Sequence, residues 1–247
     1  MILSREKCFY IILLAIVFNQ LTICNYEDKK KITMVAVNDT NITTRTRQKQ
    51  ITRQRLIEAT FDVIAEEGFT GVTMAKVAER AGLSRGIGNF HFKTKEQLLL
   101  EALKVLYQEF EVAWKSAIID AGPSPVDQLT ELIKRILEPP IADPKKVALW
   151  LAYWGETPSR QTYMELCEAH DREWEAAVEE ILCALAYDGF ESHGMSFHAI
   201  GESLIAMMDG FWLEYLLAPD RFTPKDAERA CFAFLSSFFP EFQNVTL

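Results

Sequence analysis

Two sets of residues in this 247-residue chain have types and spacing suited to chemistry. The first lies in AGLSRGIGNFHFKTKEQLL, residues 81–99, where Arg85 and Asn89 stand one helical turn apart with Gly86 and Gly88 between them. Arginine pairs with the acceptor edge of guanine and asparagine with adenine, so this spacing suits a short helix laid in a DNA major groove. Each glycine costs a helix about 1 kcal/mol against alanine. The expense has a reason if Gly86 and Gly88 both keep side-chain bulk off the side that faces the groove. The second set is aromatic: Trp150, Tyr153 and Trp154 in ALWLAYWGET, then Trp174 and Trp212. Trp150 and Trp154 are one turn apart and share a face. A cage of such rings holds a quaternary ammonium ion against its π-faces, and Glu156 or Asp209 would add a negative charge. The same rings also suit core and subunit packing, and spacing alone leaves both readings open.

These residues need elements to position them. TRQRLIEATFDVIAEEGF (52–69) places Leu56, Ile57, Phe61, Ile64 and Ala65 on one helical face and ends at Gly68. VTMAKVAERAG (72–82) follows, with Thr73 as N-cap, Val77, Ala78 and Ala81 facing inward, and Gly82 as the stop. Leu83 turns the chain and Ser84 caps a third helix, Arg85–Phe90. Two short helices across a glycine turn make a helix-turn-helix. TKEQ (94–97) reads as a capping box with Thr94 and Gln97, starting a fourth helix. Lys95 then sits at the positive end of that helix, suited to a phosphate. Arg45, Arg47 and Lys49 are expected to form a flexible basic arm of the kind that enters a minor groove.

Charge follows the same division. The net charge is -9, yet residues 45–95 carry ten Lys/Arg against five Asp/Glu, while 96–247 carry eleven against twenty-six. A basic segment ahead of an acidic body points to a nucleic-acid contact confined to one end. Chance asymmetry of solvated helix faces is the plainer alternative.

The acidic body breaks at Pro and Gly into helices over about 95–120, 125–138, 144–157, 159–187, 196–217 and 224–239. Ser124-Pro125, Asp143-Pro144 and Thr223-Pro224 each set a cap before a proline suited to the first turn. With three helices in the head, the chain is all-α with nine helices. FHAIGESLIAMMDGFWLEYLL (197–217) is apolar nearly all round, and the last helix carries Phe232, Phe234, Leu235, Phe238 and Phe239. Pairing these helices with a second copy would bury them as a four-helix bundle, with Phe211, Tyr215, Phe232, Leu235 and Phe238 at the interface. A thick monomer core is the other possibility. A two-fold dimer would read a pseudo-palindromic operator.

No nucleophile elbow, phosphate-binding glycine loop, HExxH zinc site or paired carboxylates in an apolar cleft is found, so no enzyme, cofactor or metal site is expected. EAHDREWE (168–175) is the one dense polar patch and reads as a solvated face. Of five cysteines, Cys183 and Cys231 lie in apolar helical runs and read as buried, reduced thiols. At the start, Arg5 and Lys7 precede an apolar run, Cys8–Phe18, that looks like an export signal but is too short to span a bilayer. Residues 1–33 are therefore expected to be an upstream extension, with the working protein starting at Met34. An exported or tethered ligand-binding protein is the competing class, and it rests on that run alone.

The run GVTMAKVAERAGLSRGIGNFHFKTKEQLL (71–99) resembles the signature of the TetR family of regulators. MMDGFWLEYLLAPDRFTPKDA (207–227) and WLAYWGE (150–156) are similar to its BetI branch, whose type member is a choline-responsive repressor. The resemblance implies an extension and arm over 1–44, a DNA-binding domain over 45–95, and a ligand-binding and dimerisation domain over 96–247. It implies DNA contacts by Thr73, Arg85, Gly86, Asn89, His91 and Lys95, and the candidate interface also takes in Arg47, Arg53, Lys76, Ser84 and Ile87. Many members carry Tyr where this chain has Asn89, so Asn89 reads either a base or a phosphate. His91, between Phe90 and Phe92, is either a phosphate contact or a packed core histidine. The candidate ligand site is Trp150, Tyr153, Trp154, Trp174, Asp209 and Trp212. The expected protein is a cytoplasmic homodimeric repressor, with no membrane partner, released from DNA by a small molecule such as choline. Branch members answer to other compounds, so an unrelated apolar effector controlling metabolic or efflux genes is the alternative.

Overall fold

A computed structural model describes residues 44–157, 160–187, 190 and 192–245. All of its regular structure there is helical: α1 (Thr44–Gly71), α2 (Met74–Arg80), α3 (Arg85–His91), α4 (Lys95–Ala121), α5 (Pro125–Leu137), α6 (Pro144–Glu156), α7 (Gln161–Ala184), α8 (Phe197–Leu217), α9 (Pro224–Ser236) and a closing 3-10 turn (Pro240–Asn244). The signal-like run Cys8–Phe18 and the start at Met34 lie outside the described residues. Among the described residues no helix is long and apolar enough to cross a membrane.

Local chemistry sets the boundaries. The side chains of Thr73, Ser84, Thr94, Ser124, Asp143, Ser196 and Thr223 each accept from a backbone N–H in the first turn of the helix they precede. Such a contact satisfies one of the donors a helix start leaves open. Gly68 takes φ 72°, ψ 177°, and ends the regular part of α1. Gly82 takes φ 66° and closes α2, with its N–H on the Glu79 carbonyl (2.9 Å) and the Leu83 N–H on the Ala78 carbonyl (2.8 Å). That pair of bonds is a Schellman end, which favours glycine at the left-handed position.

Several expectations need correction. Arg45, Arg47 and Lys49 are not a flexible arm: residues 44–50 are already helical and exposed, extending α1. Residues 44–50 hold no Gly or Pro, so nothing in that stretch breaks the helix. Ala65 is exposed, and Val63 takes the inward place beside Ile64. Gln97 does not close a reciprocal capping box on Thr94, because its Oε1 accepts from the Lys93 N–H, one residue further out (2.9 Å). Cys183 is exposed, whereas Cys167 and Cys231 are buried. The last helix stops at Ser236, and Phe238 and Phe239 lie in the turn that follows.

Gly86 and Gly88 prove to have different reasons. Gly86 is exposed, and an added Cβ would meet only the Ser84 Oγ at 3.9 Å. Gly88 is buried against α2, where a Cβ would lie 3.3 Å from that of Ala78. Its missing side chain lets α3 approach α2, so it faces the protein and not a groove.

The residues expected at a dimer face are mostly occupied within this chain. Tyr215, Phe232, Leu235 and Phe238 are buried inside this chain, and Phe211 stacks on Phe222 at 5.0 Å. The exposed residues of α8 are His198, Glu202, Ala206, Gly210, Leu213, Glu214 and Leu217, with Leu217 70% exposed. The periodicity of an all-apolar helix does not say which face the chain's own core claims.

Replacing Gly82 by alanine forces a Cβ into the left-handed region. We expect a loss of about 1–2 kcal/mol, read from urea denaturation followed by circular dichroism.

Candidate functional site

At the head, α2 and α3 pack at close approach and leave one side of α3 in solvent. Arg85, Gly86, Ile87 and Asn89 are exposed on it, and Phe90 is 63% exposed. Ser84 and Thr73 are exposed at the starts of α3 and α2. The basic first turns of α1 come alongside, with the Lys49 ammonium 5.8 Å from the centre of the Phe90 ring. Phe90 was missed by the sequence reasoning, which treated it only as a neighbour of His91. Its signal was a large apolar side chain placed on the same outward face as Asn89.

Most of the remaining head candidates make contacts within the chain. Lys76 is paired with Glu67, and Arg53 is paired with Glu101 and lies over the Phe92 ring at 5.2 Å. The Lys95 Nζ donates to the Phe69 carbonyl at 3.4 Å, where α1 ends. Arg47 is exposed on α1. His91 is half-buried, with its Nδ1 buried and unpartnered. Burial, together with the charges of Lys49 and Arg53, holds its pKa below the ordinary histidine range. Its ring therefore favours the neutral form.

In the body, α4 to α8 surround a cavity of about 170 Å³. Trp150 and Trp154 from α6, Trp174 from α7 and Trp212 from α8 line it, with Tyr107 and Phe110 from α4. Trp150, Trp154 and Trp212 form a tight group, with centroid separations of 5.9, 6.3 and 6.3 Å. Phe110 stands edge-on to Trp174 at 5.3 Å and to Trp150 at 5.8 Å. The Trp212 Nε1–H donates to the Ile136 carbonyl at 3.0 Å, satisfying a group in the last turn of α5 and fixing the indole.

Three carboxylates, Asp171, Glu175 and Asp209, share this lining, and no Lys, Arg or His does. The Tyr107 hydroxyl donates to the Asp171 Oδ1 at 3.1 Å. Burial pushes Asp171 up to about 6, against the lowering effect of that bond. Burial, with the neighbouring Asp171 charge, pushes Asp209 up to about 7. Burial carries the Tyr107 phenol far above its usual range. An aromatic box with buried acids and no base favours a cation.

Five of the six residues expected for the ligand line this cavity. Tyr153 does not: it is fully buried on another face of α6, and its hydroxyl donates to the Leu99 carbonyl at 2.8 Å. One residue is about 100° of helical rotation, which carries Tyr153 away from Trp154. Glu156 is not on the lining either, and pairs with Arg160 at 3.1 Å. The patch 168–175 is not simply solvated: Asp171, Trp174 and Glu175 turn into the cavity, while Glu168, Arg172 and Glu173 stay outside. Asp171 was missed because its charge was read with its sequence neighbours. Among the described residues no group of His, Cys, Asp and Glu is placed to hold a metal ion.

Between head and body, Phe69 lies edge-on to Tyr153 at 5.3 Å and to Tyr163 at 6.2 Å. The Arg160 guanidinium lies 5.3 Å from the Phe69 ring and reaches Glu96 at 2.7 Å. Lys145 pairs with Asp62 beside this joint.

Residues 56–102 match the model of bacterial regulatory proteins of the tetR family, and 125–240 match that of the BetI-type transcriptional repressor C-terminal domain. The HTH-type transcriptional regulator BetI of Stenotrophomonas maltophilia is 28% identical over 185 residues, covering 75% of this chain and 91% of that protein. A solved transcriptional regulator of Pseudomonas aeruginosa is similar in fold, with TM-score 0.67 and 27% identity, covering 76% of this chain and 90% of that one. A regulator of Saccharomonospora viridis, solved in complex with choline, gives TM-score 0.65 at 19% identity, covering 76% of this chain and 96% of that one.

The acids of the cavity carry a cost that pH reveals. With Asp209 at about 7 in the folded chain, against about 3.9 for a free aspartate, the native state holds a proton that the unfolded state does not. Native stability from this group is therefore present at low pH and lost as pH rises through about 7. We expect Asp209→Asn to be more stable than the parent protein at pH 8, by on the order of 1–3 kcal/mol, with the gap narrowing as pH falls below about 7 and closing only near pH 4. Thermal denaturation across that range checks the sign.

Proposed function

The chain belongs to the TetR family of transcriptional regulators and carries a BetI-type C-terminal domain, and on that premise we propose that it is a cytoplasmic dimeric repressor released from its operator by a small organic cation. The observation that carries this reading is the cavity: four tryptophans with Asp171 and Asp209 on its lining and no basic residue. Cation–π attraction favours a trimethylammonium head, and the carboxylates supply the countercharge. A neutral apolar effector would bring no countercharge to those acids. Choline is the effector we propose, and the S. viridis regulator of similar fold was solved with choline bound.

The dimer forms through the outward stripe of α8, where Ala206 and Gly210 permit close approach and Leu213 and Leu217 bring apolar surface. Each head offers α3 to a half-site, with Arg85 and Asn89 at base edges and Ile87 and Phe90 against apolar groups such as thymine methyls. Coupling runs through α6, which carries Trp150 and Trp154 to the cavity and Tyr153 to the joint with the head. The effector binds one spacing of the heads better than the other, and the operator prefers the second.

The test is a mobility shift on DNA upstream of this gene as choline is titrated. A shifted band that choline dissolves is the expected result. A band indifferent to choline discards the effector and keeps the repressor. Arg85→Ala is expected to weaken binding by about 1–3 kcal/mol and to relax discrimination at one operator position. Equal discrimination at every base in that variant would remove Arg85 as a reader.

A further inference from the structure

We propose that the cavity exchanges a proton for its cation: when it is empty, Asp171 and Asp209 hold one proton between them, and entry of a fixed-charge cation releases that proton to solvent. The inference rests on the reading of this cavity as a cation site. It adds that the protein senses its effector against the prevailing pH.

The lining of the cavity supports the exchange. Asp171 on α7 and Asp209 on α8 line one cavity of about 170 Å³, walled otherwise mainly by rings. Two carboxylates on the lining of one such space are costly to charge together, so below about pH 7 a proton is held there unless a cation compensates. From α4 the cavity receives Tyr107, whose hydroxyl already donates to Asp171 and therefore supports a negative charge there. From α7 it also receives Glu175, one turn beyond Asp171. From α5 and α6 come Ile136, Trp150 and Trp154, none of which titrates in the working range. Behind this lining, His170 stacks on the Tyr107 ring at 4.8 Å and sits 3.6 Å from Glu111. Cys167 lies beside Thr157 at 3.9 Å, with its thiol held protonated by burial. No Lys, Arg or His lines the cavity. His170 favours a charge on Asp171 from behind the lining and Glu175 opposes it, yet burial still raises Asp171 to about 6 and Asp209 to about 7, so a proton is the countercharge held at low pH. The two acids titrate as a coupled pair. A trimethylammonium group brings a permanent charge and no proton of its own. Any proton that appears on binding therefore leaves the protein.

The experiment is calorimetric titration of the full chain with choline at pH 5.5, 6.5, 7.5 and 8.5, each in two buffers of different ionisation heat. Affinity is expected to rise about tenfold or more per pH unit between 5.5 and 6.5 and to level off above about 7.5. Between one and two protons should be released per choline at pH 5.5, about one at 6.5 and almost none at 8.5. Asp209→Asn, with circular dichroism to verify folding, should remove the rise between 6.5 and 7.5; the parent pH series decides the matter if that variant does not fold. Choline binding with equal affinity at every pH and no buffer-dependent heat overturns the exchange and leaves the cation site standing. Absence of binding at pH 8.5, where the acids are charged, overturns both.

Discussion

Phe69 leaves the end of α1 just after the left-handed Gly68 and enters a space bounded by Tyr153, Tyr163 and the Arg160 guanidinium. The ring is one of the points at which head and body are packed together. Its own carbonyl accepts from Lys95 at the start of α4, so the end of one head helix and the start of the next meet at the same point. Edge-on ring contacts of this kind are directional, and a buried ring cannot slide without opening space that nothing else fills. At seven residues α3 is too short to stand alone, and it is held by its packing on α2, where Gly88 meets Ala78.

The joint and the cavity share α6. Its thirteen residues turn Trp150 and Trp154 to one side and Tyr153 to another. A helix of that length moves as a rigid rod, so a displacement of the indoles carries the Tyr153 hydroxyl and the Phe69 contact with it. Lys145, at the start of the same helix, pairs with Asp62 in the head and adds a second point of attachment. The cavity therefore needs no long chain of intermediates to reach the DNA-facing side.

Much of this was legible because it is local. Thr73, Ser84, Ser124, Asp143 and Thr223 mark helix starts by chemistry that acts within three residues, and Gly68 and Gly82 mark ends by backbone conformation. The Trp150–Trp154 pair was legible for the same reason, since one turn brings two rings onto one face. What remained hidden depends on which neighbour claims a face. Tyr153 follows the same aromatic run, yet helical phase sends it to the head. Gly88 has the composition of a groove-facing residue, and only the approach of Ala78 shows that it faces inward. Phe232, Leu235 and Phe238 looked like subunit packing because a sequence does not reveal how much apolar surface one chain can bury by itself. Asp171 was obscured by the exposed charges on either side of it.

The tryptophans have a consequence of an optical kind. This chain has five, of which Trp150, Trp154, Trp174 and Trp212 border the cavity. The fifth, Trp114, stands 5.8 Å from Trp174, close enough to pass its excitation on. No indole reports on the head or on the outward face of α8. The intrinsic emission of the molecule is consequently a private signal from one chamber, with carboxylates beside the rings to quench or shift it as their charge changes. Occupancy can be followed by the protein's own light, unlabelled, while DNA is bound elsewhere on the same chain.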